Sequence, residues 1–292
     1  PWVEEGRLPH LQKIMQRGDY WELQSVYPPT SSMAWTSFFT GKNPGKHGVM
    51  GFTKHIPNSY KWEYSNGNSV KAITLWKLLS NLGKKVIVMN VPMTFPPEPV
   101  NGYLVSGMDT PGIDVDYTYP PEFKKEISVL SKGKYKISLH LGGYLNSDKK
   151  RKEALAMLLD LIEVRTDLAL NLIEQKPWDF FMLKFDNPDR VQHYFWKYMN
   201  GQPDNHQGRP LPFTDAVLTV YKKLDDVVGR FMEKIDNRTH LVILSDHGGG
   251  PYSGKVCYIN EWLKRNNYLA VKNKTKQKGN SNFNKNDIRR HR

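Results

Sequence analysis

The sequence predicts an open α/β fold in which helices cover both faces of a doubly wound, mostly parallel sheet. The first observation is that helical and strand-like patterns alternate along the chain. The second is that the runs 86–90 and 240–245 are rich in the β-branched residues that strands favour. The third is that 240–245 is apolar at consecutive positions, as expected of a parallel strand covered on both faces.

The individual elements are predicted from periodicity and from stop signals. Four helices are predicted from apolar residues at helical spacing. A glycine marks the end of the second helix, and Thr214 is predicted to cap the last one. Short apolar and β-branched runs indicate four strands. The predicted helices are 8–15, 74–83, 151–176 and 213–235, and the predicted strands are 21–27, 86–90, 180–185 and 240–245.

Two stretches, 51–70 and 108–149, are richer in Pro, Gly, Tyr and charged residues than the predicted elements. We predict that they leave the edge of the sheet and cap a site. Their aromatic side chains would either pack or stack on a base, and packing is the expected role for most of them. These are Trp62, Tyr64, Tyr117, Tyr119 and Tyr144. The core with these caps is predicted to span residues 1–270.

The formal net charge of +13 suggests a polyanionic partner, but its distribution argues against one. Residues 264–292 hold ten Lys and Arg side chains and one acid, Asp287, so this segment carries +9 and the preceding 263 residues only +4. The polar segment 271–292 is predicted to be a flexible tail or the start of an insertion. We therefore expect no nucleic-acid partner.

The single cysteine, Cys257, excludes an intrachain disulfide framework. No apolar run approaches the roughly 18 residues that span a bilayer. No signal-peptide pattern is present, although the chain opens on Pro1 rather than Met, which suggests that the natural N-terminus is missing. A cytoplasmic location is the working expectation, and the sequence does not predict an oligomeric state.

Asp189 and His193 form the first candidate metal-binding pair. If Asp189 opens a helix, the two side chains project from one face, a turn apart. A carboxylate with an imidazole suits Zn²⁺ or Mn²⁺ better than Ca²⁺. The alternative is a helix-capping Asp189 and a surface His193, and Asp186 is a competing carboxylate.

Asp246 and His247 form the second pair, followed by three glycines that permit a sharp bend. The alternative is a tight turn with no ligand. Both pairs follow predicted strands, and open α/β sheets bind ligands beyond the carboxyl ends of their strands. The sequence therefore predicts a two-metal site, although two ligands for each ion are fewer than the four of a closed zinc site.

The string at 28–41 offers a hydroxyl nucleophile. It lies between a predicted strand and a helix-like segment, so its hydroxyls fall at a helix N-terminus, which favours phosphate. A hydroxyl beside a metal can ionise and attack. The alternative is that Thr30, Ser31 or Ser32 only caps the helix.

The segment Pro28-Pro-Thr-Ser-Ser-Met-Ala-Trp-Thr-Ser-Phe-Phe-Thr-Gly-Lys-Asn-Pro-Gly-Lys-His-Gly48 resembles the signature of the alkaline phosphatase superfamily. The branch it resembles most is the type I phosphodiesterase and nucleotide pyrophosphatase group, in its predicted phosphohydrolase/phosphomutase subgroup. The segments 90–97, 189–193 and 245–248 match in the same order, and the resemblance covers about residues 5–270. It implies an alkaline-phosphatase-like fold, two divalent metal ions that are usually zinc, and a covalent intermediate on Ser or Thr.

The resemblance also assigns roles. It places the nucleophile on Ser31, or on Thr30 if the alignment slips by one residue. Asp189 and His193 correspond to the ligands of one metal, and Asp246 and His247 to those of the other metal, which also contacts Ser31. The implied activity is hydrolysis of a small-molecule phosphoric ester by a phosphodiesterase, nucleotide pyrophosphatase or phosphomonoesterase.

The chain departs from the family pattern at three places. A metal-binding Asp expected upstream of Pro1 and a His ligand expected near the C-terminus are missing, and His291 is not assigned that role. Phe52 stands near the position of a phosphate-binding Asn. We therefore expect the chain to be the middle of a longer enzyme, truncated at both ends and by itself weakly active or inactive.

Two alternatives remain open. The first is phosphomutase-type transfer, which shares the metal chemistry. The second is an inactive fragment or binding scaffold that contacts polyanions through its basic tail. Salt-dependent nucleic-acid binding that disappears when 272–292 is deleted would favour the scaffold.

Overall fold

The structure is a computed structural model that describes residues 1–199, 212–251 and 255–270 of the 292-residue chain. The chain divides into two compact units, Pro1–Gly249 and Gly250–Arg292. The helices are α1 (Pro9–Arg17), α2 (Ser31–Thr40), α3 (Pro44–His47), α4 (Leu75–Asn81), α5 (Phe123–Leu130), α6 (Asp148–Gln175), α7 (Asn187–Met199), α8 (Ala216–Lys234) and α9 (Ile259–Arg265). The strands are β1 (Thr53–His55), β2 (Trp62–Tyr64), β3 (Val86–Val91), β4 (Gly102–Ser106), β5 (Thr118–Tyr119) and β6 (Phe180–Leu183).

The larger sheet has the strand order β5-β4-β3-β6. Strand β3 lies at its centre and pairs in parallel with β4 and β6, so that Val86 is opposite both Gly102 and Phe180. The short β5 pairs antiparallel with β4. The sheet is therefore mostly parallel, and the predicted strands 86–90 and 180–185 are confirmed.

Helices cover both faces of this sheet because successive side chains of β3 point to opposite sides. Ile87 and Met89 pack with residues of α5 and α6. Val86 and Val88 pack on the other side with Trp35 and Phe39 of α2, and with residues of α4 and of the segment that leads to it from α3. The predicted α/β class with two covered faces is confirmed.

A third apolar cluster joins α6, α7 and α8 and fixes the position of α7. Val191 and Phe195 of α7 are fully buried there beside Leu158 of α6 and Val220 of α8. The predicted helix 151–176 is confirmed, with a start a few residues earlier. The helices predicted at 8–15, 74–83 and 213–235 are also present with shifted ends.

Three local predictions are wrong. Among the described residues, neither 21–27 nor 240–245 pairs with a strand, and the side chains of Trp21 and Val242 are 74% and 73% exposed. A short apolar run favours extended backbone, but a strand also needs a neighbour to pair with, and within the described ranges neither run has one. The cap predicted at Thr214 lies instead at Asp215, whose side chain makes no capping hydrogen bond.

The stretches predicted to cap a site contain regular structure. Strands β1 and β2 form an antiparallel hairpin within 51–70, and Trp62 and Tyr64 on it are exposed. Within 108–149, β5 extends the main sheet and α5 packs on it. Tyr117 is buried and stacked on Tyr135, with ring centroids 6.2 Å apart. The capping role of both stretches stays a prediction.

The second unit contains α9, and Trp262 on this helix stacks on Tyr268 just beyond it, with ring centroids 6.1 Å apart. The predicted basic tail at 271–292, including His291, lies outside the described residues, and the boundary predicted near residue 270 stays a prediction. None of the helices in the described ranges combines the length and the apolar character that a membrane crossing requires.

His47 is a fully buried histidine at the end of α3. The Val49 N–H donates to its Nδ1 at 3.2 Å, so Nδ1 is unprotonated and the other nitrogen, Nε2, donates to Ser37 Oγ at 3.0 Å. Burial lowers the pKa of His47, opposed by a backbone hydrogen bond. The folded protein therefore holds this ring neutral.

We expect His47 to make stability fall in mild acid. Below about pH 6.5 the unfolded chain binds a proton at this ring while the folded chain does not, so the free energy of unfolding decreases by at most about 1.4 kcal/mol per pH unit from this group. Urea unfolding of the wild type and of His47→Gln between pH 7 and pH 5 measures the effect. The difference in unfolding free energy between the two proteins should shrink as the pH falls, and parallel pH profiles would contradict the assignment.

Candidate active site

Ser31 is the first helical residue of α2. The helix ends at Gly41, which adopts the left-handed conformation that glycine tolerates, with φ of 62°. Thr30 occupies the N-cap position, but its side chain makes no capping hydrogen bond, and its Oγ1 is buried without a partner. The Ser31 hydroxyl is therefore not the helix cap, and it faces another element of the fold.

That element is the loop carrying His247. The Ser31 Oγ lies 3.0 Å from His247 Nε2. The other ring nitrogen, Nδ1, lies 2.9 Å from the Gly248 carbonyl oxygen, which can only accept, so Nδ1 carries a proton. In the neutral ring, Nε2 then presents its lone pair to the Ser31 hydroxyl. The structure thus joins two residues that are 216 positions apart in the sequence.

Asp246 contributes a buried carboxylate oxygen next to this contact. Its Oδ2 is 3.5 Å from His247 Nε2 and has no hydrogen-bond partner. The loop is held by the Ser25 hydroxyl, which donates to the Asp246 carbonyl oxygen at 2.6 Å, and by the Ser245 hydroxyl, which donates to the His247 carbonyl oxygen at 2.7 Å. A buried anionic oxygen without a donor is costly, so Asp246 Oδ2 fits a bound cation.

The second pair lies on α7. Asp189 Oδ1 is 3.2 Å from His193 Nε2, one helical turn away, and Asp189 lies inside the first turn rather than at the cap. Burial raises the pKa of Asp189, but the hydrogen bond and charge of His193, together with the charges of His247 and Lys184, outweigh it and lower the pKa. The Asp189 hydrogen bond raises the pKa of His193, opposed by burial.

The side chains of both pairs are suitable ligands for a divalent metal ion, but neither pair is a complete set of ligands. Each pair offers one carboxylate and one imidazole, and Ser31 adds a hydroxyl to the pair at 246–247. Within the described ranges, no group of three or more His, Cys, Asp and Glu side chains is placed to hold one ion. A closed zinc site needs four ligands, so further ligands are required at each pair.

Asp186, the competing carboxylate, belongs to a different group. It is buried and ion-paired with Lys184, and its Oδ2 lies 3.6 Å from Arg165 Nη1. Burial raises the pKa of Asp186, but the charges of Lys184 and Arg165 outweigh it and lower the pKa. Asp186 therefore neutralises two buried cations, which distinguishes it from Asp246.

Arg165 was not predicted from the sequence. It is fully buried on α6 and donates to the carbonyl oxygens of Lys184 at 2.9 Å and Ile137 at 3.0 Å. Asn187, at the start of α7, donates to the Leu158 carbonyl oxygen of α6 at 2.8 Å. These bonds fix the segment between β6 and Asp189. The sequence feature that could have indicated this buried group is Lys184, a charged residue within an apolar strand pattern.

Phe52, which stands near the family's Asn position, is 39% exposed and ends a loop before the β1–β2 hairpin. Its carbonyl oxygen accepts from the Ser65 N–H at 2.9 Å. A phenyl ring donates no conventional hydrogen bond, so Phe52 does not replace the amide of an asparagine.

The chain is similar to one protein family in sequence and to solved hydrolase structures. The family model of type I phosphodiesterase / nucleotide pyrophosphatase matches residues 1–291. No curated protein sequence matches the chain. Similar solved structures include phosphonoacetate hydrolase from Sinorhizobium meliloti 1021 in complex with phosphonoformate and in complex with phosphonoacetate. The identities are 16% and 18%, each with a TM-score of 0.45. The alignments cover 80% of this chain and 49% of the hydrolase, so the chain spans about half the length of the structures it matches.

Proposed function

Because the chain belongs to the type I phosphodiesterase / nucleotide pyrophosphatase family, within the alkaline phosphatase superfamily, we propose that it carries the nucleophile of a metal-dependent phosphoric-ester hydrolase. The observation that carries the proposal is the 3.0 Å contact between Ser31 Oγ and His247 Nε2 at the N-terminus of α2. The substrate is a small-molecule phosphoric monoester or diester.

In the proposed reaction the Ser31 Oγ attacks phosphorus. The Ser31 hydroxyl loses its proton to water, a bond forms between Oγ and phosphorus as the bond from phosphorus to the leaving alkoxide breaks, and the alkoxide takes up a proton from water. A water molecule then attacks the phosphoserine ester, which releases the phosphate and returns a proton to Ser31. Helix α2 assists, because N–H groups at a helix N-terminus have no acceptor within the helix and bind phosphate oxygens. In α2 the intrahelical bonds begin with the Ala34 N–H donating to the Thr30 carbonyl oxygen.

Two pairs of residues would hold two divalent ions, zinc or alternatively manganese. Asp246 and His247 would hold one beside Ser31, and Asp189 and His193 would hold the other. When bound, the two ions supply Lewis-acid chemistry, which lowers the pKa of a coordinated hydroxyl and offsets charge on phosphoryl oxygens. Since each pair offers two ligands, we expect the 292-residue chain alone to bind metal weakly and to be weakly active or inactive.

Zinc content tests the proposed metal site. We expect the full-length protein to bind two zinc ions and His247→Ala or His193→Ala to retain one at the same free zinc concentration. His55→Ala is the matched control, because His55 is an exposed histidine on the β1–β2 hairpin, outside both pairs. Metal analysis after dialysis measures the stoichiometry.

Two results would count against the proposal. One is a wild-type protein without zinc or manganese, and the other is a zinc content that His247→Ala and His193→Ala leave unchanged. Turnover of an aryl phosphomonoester and an aryl phosphodiester then separates the two hydrolase classes. Transfer of the phosphoryl group to a second position of the same substrate, in place of release to water, would identify a mutase.

A further inference from the structure

Gln192 lies in sequence between the two residues of the α7 pair, yet its side chain contacts other elements. Its Nε2 donates to the Tyr221 hydroxyl of α8 at 2.6 Å. The Tyr221 ring is held in turn by an edge-on contact with Trp2, with ring centroids 5.6 Å apart. The Gln192 amide is therefore fixed at its far end by a group outside α7.

The other side of the same amide meets the loop that follows His247. A Cβ placed on Gly249 would overlap Gln192 Oε1 and would lie 2.7 Å from Gln192 Cδ. The loop backbone thus packs directly against the glutamine amide, an approach that only glycine permits. Gly249 is two residues beyond His247, so this contact lies next to the second pair.

We propose that Gln192 is a positioning residue that joins the two halves of the site. It holds the loop with Asp246 and His247 against the helix with Asp189 and His193. Its contact with the loop is set by the hydrogen bond to Tyr221, because an unrestrained glutamine side chain samples several rotamers. An effect of Gln192 on metal binding rests on the proposed function, whereas the contact between Gln192 and Gly249 does not.

The contact is tested without metal by hydrogen exchange of the backbone amides at 246–249. In Gln192→Ala and in Gln192→Met, which keeps the side-chain volume but lacks the amide, we expect exchange about threefold to tenfold faster, because the loop loses its packing contact with the amide and opens more often. Amides of α6 should exchange as in the wild type. Gln175→Ala, which removes an exposed glutamine whose Nε2 donates to Asn171 on α6, is the control and should leave 246–249 unchanged.

Gly249→Ala is a second, independent test of the contact between Gln192 and the loop. A methyl group there should displace the Gln192 amide, so the variant should resemble Gln192→Ala. The double variant Gly249→Ala/Gln192→Ala should add little to either single change, because both act on one contact. Three results would overturn the proposal. They are wild-type exchange rates at 246–249 in Gln192→Ala, wild-type rates there in Gln192→Met, and fully additive effects in the double variant.

Zinc binding then reads out the coupling of the two pairs. We expect His193→Ala to weaken binding of the zinc ion that remains at the Asp246–His247 pair in the wild-type background, and to leave its affinity unchanged in the Gln192→Ala background. The same effect of His193→Ala in both backgrounds would contradict coupling through Gln192. If no variant and no wild-type protein binds zinc, the metal part of the proposed function fails, and hydrogen exchange alone decides the role of Gln192.

Discussion

Replacing Ser31 with alanine in the full-length, zinc-loaded protein is expected to lower the rate of phosphoester hydrolysis by about 10⁴-fold or more. Losses of this order follow removal of the nucleophile from a covalent mechanism, because the step that forms the intermediate is lost. Zinc at the Asp189–His193 pair should persist, since Ser31 contacts His247 and not that pair. Steady-state turnover of an aryl phosphoester, with zinc content measured on the same sample, checks the result.

Thr30→Ala is the matched control for Ser31→Ala. Thr30 precedes the helix, and its hydroxyl makes no hydrogen bond in the structure. We expect this variant to retain activity within about tenfold of the wild type, because the nucleophile and its contact with His247 are intact. The opposite pattern, with Thr30→Ala inactive and Ser31→Ala active, would move the nucleophile to Thr30.

Replacing Arg165 with alanine is expected to lower the free energy of unfolding by about 3–5 kcal/mol, because it removes one partner of a buried ion group and leaves two carbonyl oxygens without their donor. The change leaves Asp186 with Lys184 alone and removes the donors to the carbonyl oxygens of Lys184 and Ile137. Urea unfolding measures the loss. Since Arg165 fixes the segment that leads into α7, zinc binding at Asp189 should also weaken.

Arg230→Ala is the comparison for Arg165→Ala. Arg230 bridges Glu163 and Asp167 on the surface of α6, with 36% of its side chain exposed, so its loss should cost about 1 kcal/mol or less. Asp186→Asn combined with Arg165→Ala should lower the stability further, because it leaves the buried Lys184 ammonium without its carboxylate. Equal losses for Arg165→Ala and Arg230→Ala would contradict the account of the buried group.

The central sheet was predictable because its signals are local. The run at 86–91 is apolar and β-branched, and the helix before it has a clear glycine stop. The runs at 21–27 and 240–245 carry the same kind of signal, but pairing depends on a neighbouring strand that local sequence does not specify. Apolar pattern alone therefore predicted extended backbone at these runs and overstated their burial.

The site residues were predictable in pairs, because each Asp and His pair is close in sequence. The family resemblance implied that Ser31 and the pair Asp246–His247 contact the same metal, and the direct contact between Ser31 and His247 was found only in the structure. Gln192 and Arg165 were not identified, because their partners lie on other elements and leave no local periodicity. The lone charge of Lys184 inside an apolar strand was the one signal that a buried ion group was present.

Chemical trapping of the phosphoserine intermediate tests whether Ser31 is the nucleophile. The full-length, zinc-loaded protein is mixed with an aryl phosphoester, quenched in acid during turnover and digested, and the peptides are sequenced by mass spectrometry. The account predicts a phosphoryl group on Ser31, absent from Ser31→Ala and from samples without substrate. Turnover without any phosphorylated residue in the 28–41 segment, or with the phosphoryl group on a residue other than Ser31, would contradict it.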